Sequence, residues 1–139
     1  MHAKITLVEN VRFEAVADSG HTVVIDGPPE AGGENRGTRP MELVLIGLGG
    51  CASFDVVSIL RKSRQPIAGC VTELTARRAE EVPQVFEAIH LHFKVRGAGL
   101  DETKVARAVA LSADKYCSAS IMLERGGVAI SHDYEILNE

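Results

Sequence analysis

Hydrophobic and polar positions alternate over residues 3–9, 11–17 and 22–26, the period of two expected of half-buried strands. Asp18-Ser19-Gly20 supplies a turn between the last two. The Gly- and Pro-rich run GPPEAGGENRGTRP, residues 27–40, closes this strand group as a loop. From Met41 to about Arg64 the pattern changes to MELVLIGLGGCASFDVVSILRKSR, helical in period and apolar on nearly every side. Pro40 suits the first turn of that helix, Arg61, Lys62 and Arg64 suit its C-terminal end, and Pro66 stops it. A helix apolar all round must be covered all round. One small domain supplies too little cover, so a sheet on one side and a partner subunit on the other are expected.

Alternation returns over residues 69–80 and 85–96 with Pro83 between them, the pattern of a long antiparallel hairpin. Asp101 is placed to cap a helix that runs to about Cys117. A short turn or helix follows from Ser118 to Leu123, Gly126-Gly127 breaks it, and Val128 to Leu137 reads as a closing strand. Strands, long helix, hairpin, helix and strand in that order make an α+β fold, taken as a single domain over residues 1–139.

Composition narrows the function classes. The chain has 139 residues, a net charge of -4 and only six aromatic residues. Nucleic-acid surfaces carry a basic excess and, for single strands, stacking aromatics; neither is present, so no nucleic-acid partner is expected. The N-terminal Met1-His2-Ala3-Lys4-Ile5-Thr6-Leu7 alternates and does not resemble a signal peptide. The most apolar stretch, Leu43 to Leu60, is interrupted by Asp55, and a membrane span needs about 20 mostly apolar residues. A cytoplasmic protein without a membrane partner is the expectation, and in a reducing compartment its cysteines serve chemistry or packing.

Three cysteines and one histidine pair are the candidates for chemistry. On a straight helix Asp55 falls about 40° from Cys51, with Ser58 and Lys62 each about 20° from it on either side. Free cysteines usually behave as small buried hydrophobes, but a purely structural core helix would not place a carboxylate one turn from the thiol. Gly47, Gly49 and Gly50 precede Cys51, each costing the helix ~1 kcal/mol, which suggests close approach by another helix or a ligand. Cys117 ends the second helix in line with Ala106, Ala110 and Ala113, within about 40° of it. Cys70 opens a strand and reads as structural. His90 and His92 share one strand face, a spacing some metal sites use, but a third ligand is not evident in the sequence. A solvated sheet face accounts for the pair, and neither metal nor cofactor is expected.

The segment Thr38-Arg39-Pro40-Met41-Glu42-Leu43, then Gly49-Gly50-Cys51 and Asp55-Val56-Val57, and finally Cys117-Ser118-Ala119-Ser120 resemble the osmotically inducible protein C and organic hydroperoxide resistance (OsmC/Ohr) family, in its YhfA-like branch. The resemblance implies an intertwined homodimer in which two long buried helices, one per subunit, are wrapped by antiparallel sheet. It also implies thiol-dependent reduction of organic or lipid hydroperoxides in oxidative stress defence. Cys51 would attack, Cys117 would resolve, and Glu42 with Arg12 or Arg39 would assist. An external dithiol would reduce the product disulfide, and the apolar residues near the thiols, Phe54 and Met122 among them, favour an apolar substrate. Two positions differ from the peroxidase pattern: Met41 stands where a Glu is usual, with Glu42 one place later, and Ser118 stands where a Pro is usual. A non-enzymatic dimer of the same fold, binding a small electrophile or sensing redox state, is the alternative.

Overall fold

The computed structural model describes residues 1–138. Two compact units are present, Met1–Leu45 and a second from Ile46 onward. The first holds a three-stranded antiparallel meander, β1 (Ala3–Glu9), β2 (Arg12–Ala17) and β3 (Thr22–Ile25), in that order. Asn10 and Gly20 take left-handed backbone in its two turns, as hairpin turns require. The loop that follows is organised around Asp26, a fully buried carboxylate. Asp26 Oδ1 accepts from the Gly27 amide at 2.7 Å, and Oδ2 accepts from the amides of Glu34 and Arg36 at 3.2 and 3.0 Å. Burial opposes ionisation of Asp26, but these three amides and the Arg12 guanidinium prevail and hold its pKa below the usual carboxylate value.

Helix α1 (Pro40–Lys62) begins where the sequence places it. Arg39 sits at the cap and Pro40 in the first turn, and Glu42 Oε1 reaches back to accept the Arg39 amide at 2.8 Å. That is half of a capping box. Within the second unit α1 buries one stripe, Leu48, Gly49, Ala52, Val56 and Leu60, a spacing of three and four that lays these side chains on one face. Gly49 lets the strand come close: a Cβ at that position would lie 2.7 Å from Leu74 Cδ1, and the leucine side chain would have to shift. The close approach expected of the glycine run is thus made at Gly49, by a strand residue. Gly47 and Gly50 have open space beside them. Elsewhere α1 leaves apolar surface exposed, with Phe54 76% exposed.

The sheet of the second unit has the order β4 (Gly69–Arg78), β5 (Phe86–Arg96), β6 (Ala129–Leu137). β4 and β5 form the expected antiparallel hairpin. β6 pairs parallel to β5, from Ala88↔Ala129 to Arg96↔Leu137, so this sheet is mixed where an all-antiparallel one was expected. The cause is the connection: parallel neighbours need a crossover of a dozen or more residues, and α2 (Glu102–Leu111) with α3 (Ser118–Arg125) supplies it. β5 buries Ile89, Leu91, Phe93 and Val95 on one face, each contributing about 1.5–3 kcal/mol. His90, His92 and Lys94 occupy the other face.

The second helix departs from the sequence reading. Asp101 caps it as expected, accepting from the amides of Thr103 and Lys104. However, α2 stops at Leu111, and Ser112–Tyr116 form one wide π-type turn closed by the Cys117 amide on the Ser112 carbonyl at 2.8 Å. A π-turn takes five residues per hydrogen bond where an α-helix takes four, so angular bookkeeping from Ala106, Ala110 and Ala113 does not reach Cys117. Cys117 instead joins Val105, Ala108, Val109 and Ser112 among the buried residues.

Candidate functional site

Cys51 lies mid-way along α1, half-buried, and Cys117 forms the cap of α3 with no exposed surface. The π-turn and the extended backbone of Cys117 (φ -75°, ψ 100°) carry its sulfur back to α1. The two sulfurs come within 4.8 Å of each other there, and both thiols are free. Cys51 Sγ, Cys117 Sγ and a carboxylate oxygen of Asp55 all lie within 4.8 Å of one another.

A buried serine holds this group together. Ser112 Oγ lies 3.2 Å from the Ala52 carbonyl, one residue beyond Cys51, and 3.3 Å from Asp55 Oδ2, and donates toward these two acceptors. On the other side, the Ser120 amide donates to Cys117 Sγ at 3.4 Å, because Cys117 stands at a helix start where amides lack intrahelical partners. Ser120 Oγ is itself buried without a hydrogen-bond partner among the described residues. Burial pushes the Cys117 thiol up to about 11; the Ser120 amide pulls the other way, and Cys51 and Asp55 add to the rise. Cys117 is a protonated thiol at neutral pH.

Asp55 also borders a cleft of about 560 Å³ whose walls include Ser58, Lys62, Lys104, Arg107 and Tyr116. The polar stripe of α1 therefore lines a concavity. A second, mostly apolar groove of similar size lies beside Phe54 and Val57 and reaches Cys70. Cys70 Sγ lies 3.9 Å from Thr72 Oγ1, and burial raises its pKa.

Arg12, Arg39 and Glu42 belong to the first unit, where each has local partners. Arg12 pairs with Glu9 at 3.2 Å and Glu34 at 3.6 Å. Arg39 Nη1 donates to the Gly37 carbonyl at 3.1 Å, and Glu42 caps α1. Ser112 was missed from sequence, although a serine following Val105, Ala108 and Val109 on one helical face is a visible signal. On the outer sheet face, His90 Nε2 and His92 Nδ1 both contact Asp133 Oδ1, at 2.9 and 2.6 Å. The strand partner that the sequence left unidentified is this carboxylate of β6.

The OsmC-like protein family description matches residues 32–133, which includes both site cysteines and Asp55. The chain belongs to the OsmC-like family. This OsmC-like chain is 45% identical over 137 residues to Protein YhfA of Escherichia coli K12, covering 99% of the chain and 98% of YhfA. A hypothetical protein of Aquifex aeolicus VF5 has the same fold at 28% identity and a TM-score of 0.80, over 97% of this chain and 96% of that one. An organic hydroperoxide resistance protein OsmC of Legionella pneumophila shares the fold at 19% identity and a TM-score of 0.71, over 96% and 95% of the two chains. The α+β fold expected from the sequence is the OsmC fold.

Proposed function

We propose that the chain is a two-cysteine reductase of organic hydroperoxides that acts as a homodimer. The observation that carries this reading is the placing of the Cys51 and Cys117 sulfurs and the Asp55 carboxylate within 4.8 Å of one another. The Cys51 thiolate attacks one peroxide oxygen, the O–O bond breaks, and the departing alkoxide takes a proton to leave as alcohol. Cys51 is left as a sulfenic acid. Cys117 sulfur then attacks the Cys51 sulfur, the S–S bond forms, and the hydroxide of the sulfenic acid leaves as water. An external dithiol returns the pair to thiols by exchange.

Asp55 gives the second step its proton path. It takes the Cys117 proton as the disulfide forms and passes it to the departing hydroxide. The apolar groove at Phe54 and Val57 suits an alkyl or aryl hydroperoxide. Exposed Ile46 and the bare backbone at Gly47 suit the packing of a second copy against α1, and a reducing compartment would keep the pair ready. Arg12 and Arg39 remain the proposed cations and Glu42 their proposed support.

Steady-state turnover of cumene hydroperoxide with a dithiol reductant tests the reading. Many turnovers per chain are expected, abolished in Cys51→Ser; a rate no greater than that of the dithiol alone counts against it. A second reading, a dimer that oxidises once as a sensor, predicts a single oxidation per chain and no continued turnover.

A further inference from the structure

We infer that Cys51, Cys117 and Asp55 form a zinc site, binding one Zn²⁺ per chain in competition with their oxidation. The inference needs only the three donors and does not rest on the hydroperoxide reading. Zinc takes four ligands in a tetrahedron, with bonds of about 2.3 Å to Cys sulfur and about 2.0–2.2 Å to carboxylate oxygen. Such bonds put tetrahedral ligand atoms roughly 3.4–3.8 Å apart. Here the two sulfurs and one carboxylate oxygen all lie within 4.8 Å of one another, so contraction by at most about 1.4 Å brings them onto one ion. Side-chain rotation at the half-buried Cys51 and Asp55 provides that movement. The backbone of Cys117 stays fixed by its amide bond to Ser112.

The surroundings match what a zinc ligand set needs. Zinc-binding carboxylates are oriented by an outer hydrogen bond, and Ser112 Oγ, 3.3 Å from Asp55 Oδ2 and held on the Ala52 carbonyl, is that partner. Two thiolates and a carboxylate around Zn²⁺ leave one net negative charge. Lys62, Lys104 and Arg107 line the cleft that Asp55 borders and offset it. Three protein donors leave a fourth position for water, and Asp55 is the donor that faces the cleft. Thiolates alone also suit Cu(I), whereas a carboxylate favours a harder ion; Asp55 is therefore the donor that selects zinc.

The test uses reduced, chelator-treated full-length protein titrated with Zn²⁺ or Co²⁺ alone. One ion per chain is expected, together with thiolate-to-cobalt charge-transfer absorption and protection of both Cys51 and Cys117 from alkylation, read by peptide mass. Ser112→Ala should weaken zinc about 10–100-fold, the usual consequence of losing an outer hydrogen-bond partner. Asp55→Asn should weaken zinc while leaving Cu(I) affinity within a factor of two or so. Zinc binding that persists unchanged in Cys51→Ser/Cys117→Ser, or that is lost only in His90→Ala/His92→Ala, overturns the inference, as does unaltered alkylation of wild-type protein at saturating zinc. Hydroperoxide turnover of the metal-free protein is read separately, so failure of the zinc site and failure of the reductase reading are told apart.

Discussion

Replacing Asp55 with Asn separates two effects that the geometry gives to one carboxylate. Asp55 is among the groups that raise the Cys117 pKa, which stands at about 11. At pH 7 a thiol of that pKa is ionised in about one molecule in ten thousand. If Asp55 acted only through its charge, its removal would lower the Cys117 pKa and speed disulfide formation, weakly, since it is the smallest of the raising causes. If Asp55 accepts the Cys117 proton, its removal forfeits a general base, and such groups contribute about 10²–10⁴ in rate. The two accounts differ in sign. The assay is a single turnover of metal-free protein with one equivalent of cumene hydroperoxide, quenched with acid and read by intact mass. The sulfenic acid adds about 16 mass units and the disulfide removes about two. Wild type should pass quickly to the disulfide. Asp55→Asn should accumulate the sulfenic acid and close it at least tenfold more slowly. Closure in Asp55→Asn as fast as wild type, or faster, would falsify the proton-acceptor role.

Three further outcomes are expected. Ser112→Ala removes the hydroxyl that joins the Ala52 carbonyl to Asp55 and should lower unfolding stability by about 1–2 kcal/mol, measured by urea denaturation, with slower disulfide closure. Hydrogen bonding to Asp133 raises the His92 pKa, and the same bond, with His90, lowers that of Asp133. The histidine's contribution is full below its unfolded pKa of about 6.5 and is lost as pH rises through the folded value. The carboxylate's contribution is present above about 3.9 and is lost as pH falls through its own lowered value. Thermal stability should therefore gain most from this pair between about pH 4 and pH 6.5, and Asp133→Asn should flatten that dependence; an unchanged profile in the variant refutes the assignment. Gly47→Ala meets no atom within 4 Å and should strengthen the helix of a monomer by ~1 kcal/mol. If a second copy packs on that backbone, sedimentation should show a weaker dimer instead.

What the sequence made legible follows from the range of the signal. Periodicity is local, and it gave β1, β2, α1 and the β4–β5 hairpin to within a few residues, because each carries its hydrophobic pattern within its own length. The direction of β6 was not legible, since nothing in residues 128–137 records which neighbour they join. The parallel register that brings Asp133 opposite His92 is a property of the crossover. For the same reason the histidine pair had no visible third group.

The candidate site divides in the same way. Cys51 and Asp55 were readable together because both lie on one helix, one turn apart, where geometry is fixed by the helix itself. Cys117 was readable as a residue but not as a position. Its sulfur reaches Cys51 only because the chain widens by one residue at Ser112–Tyr116 and then breaks at Cys117 to start α3. Continuing α2 as a regular helix through Cys117 would keep the alanine face in line with the thiol and put its amide on Ala113 rather than Ser112. The wide turn does two things at once: it releases the Cys117 sulfur to cap α3, and it leaves Ser112 buried beside Ala52 and Asp55. The distance between the two thiols is thus set by a single irregular turn. Substitutions that regularise that turn should move Cys117 away from Cys51 without altering either cysteine.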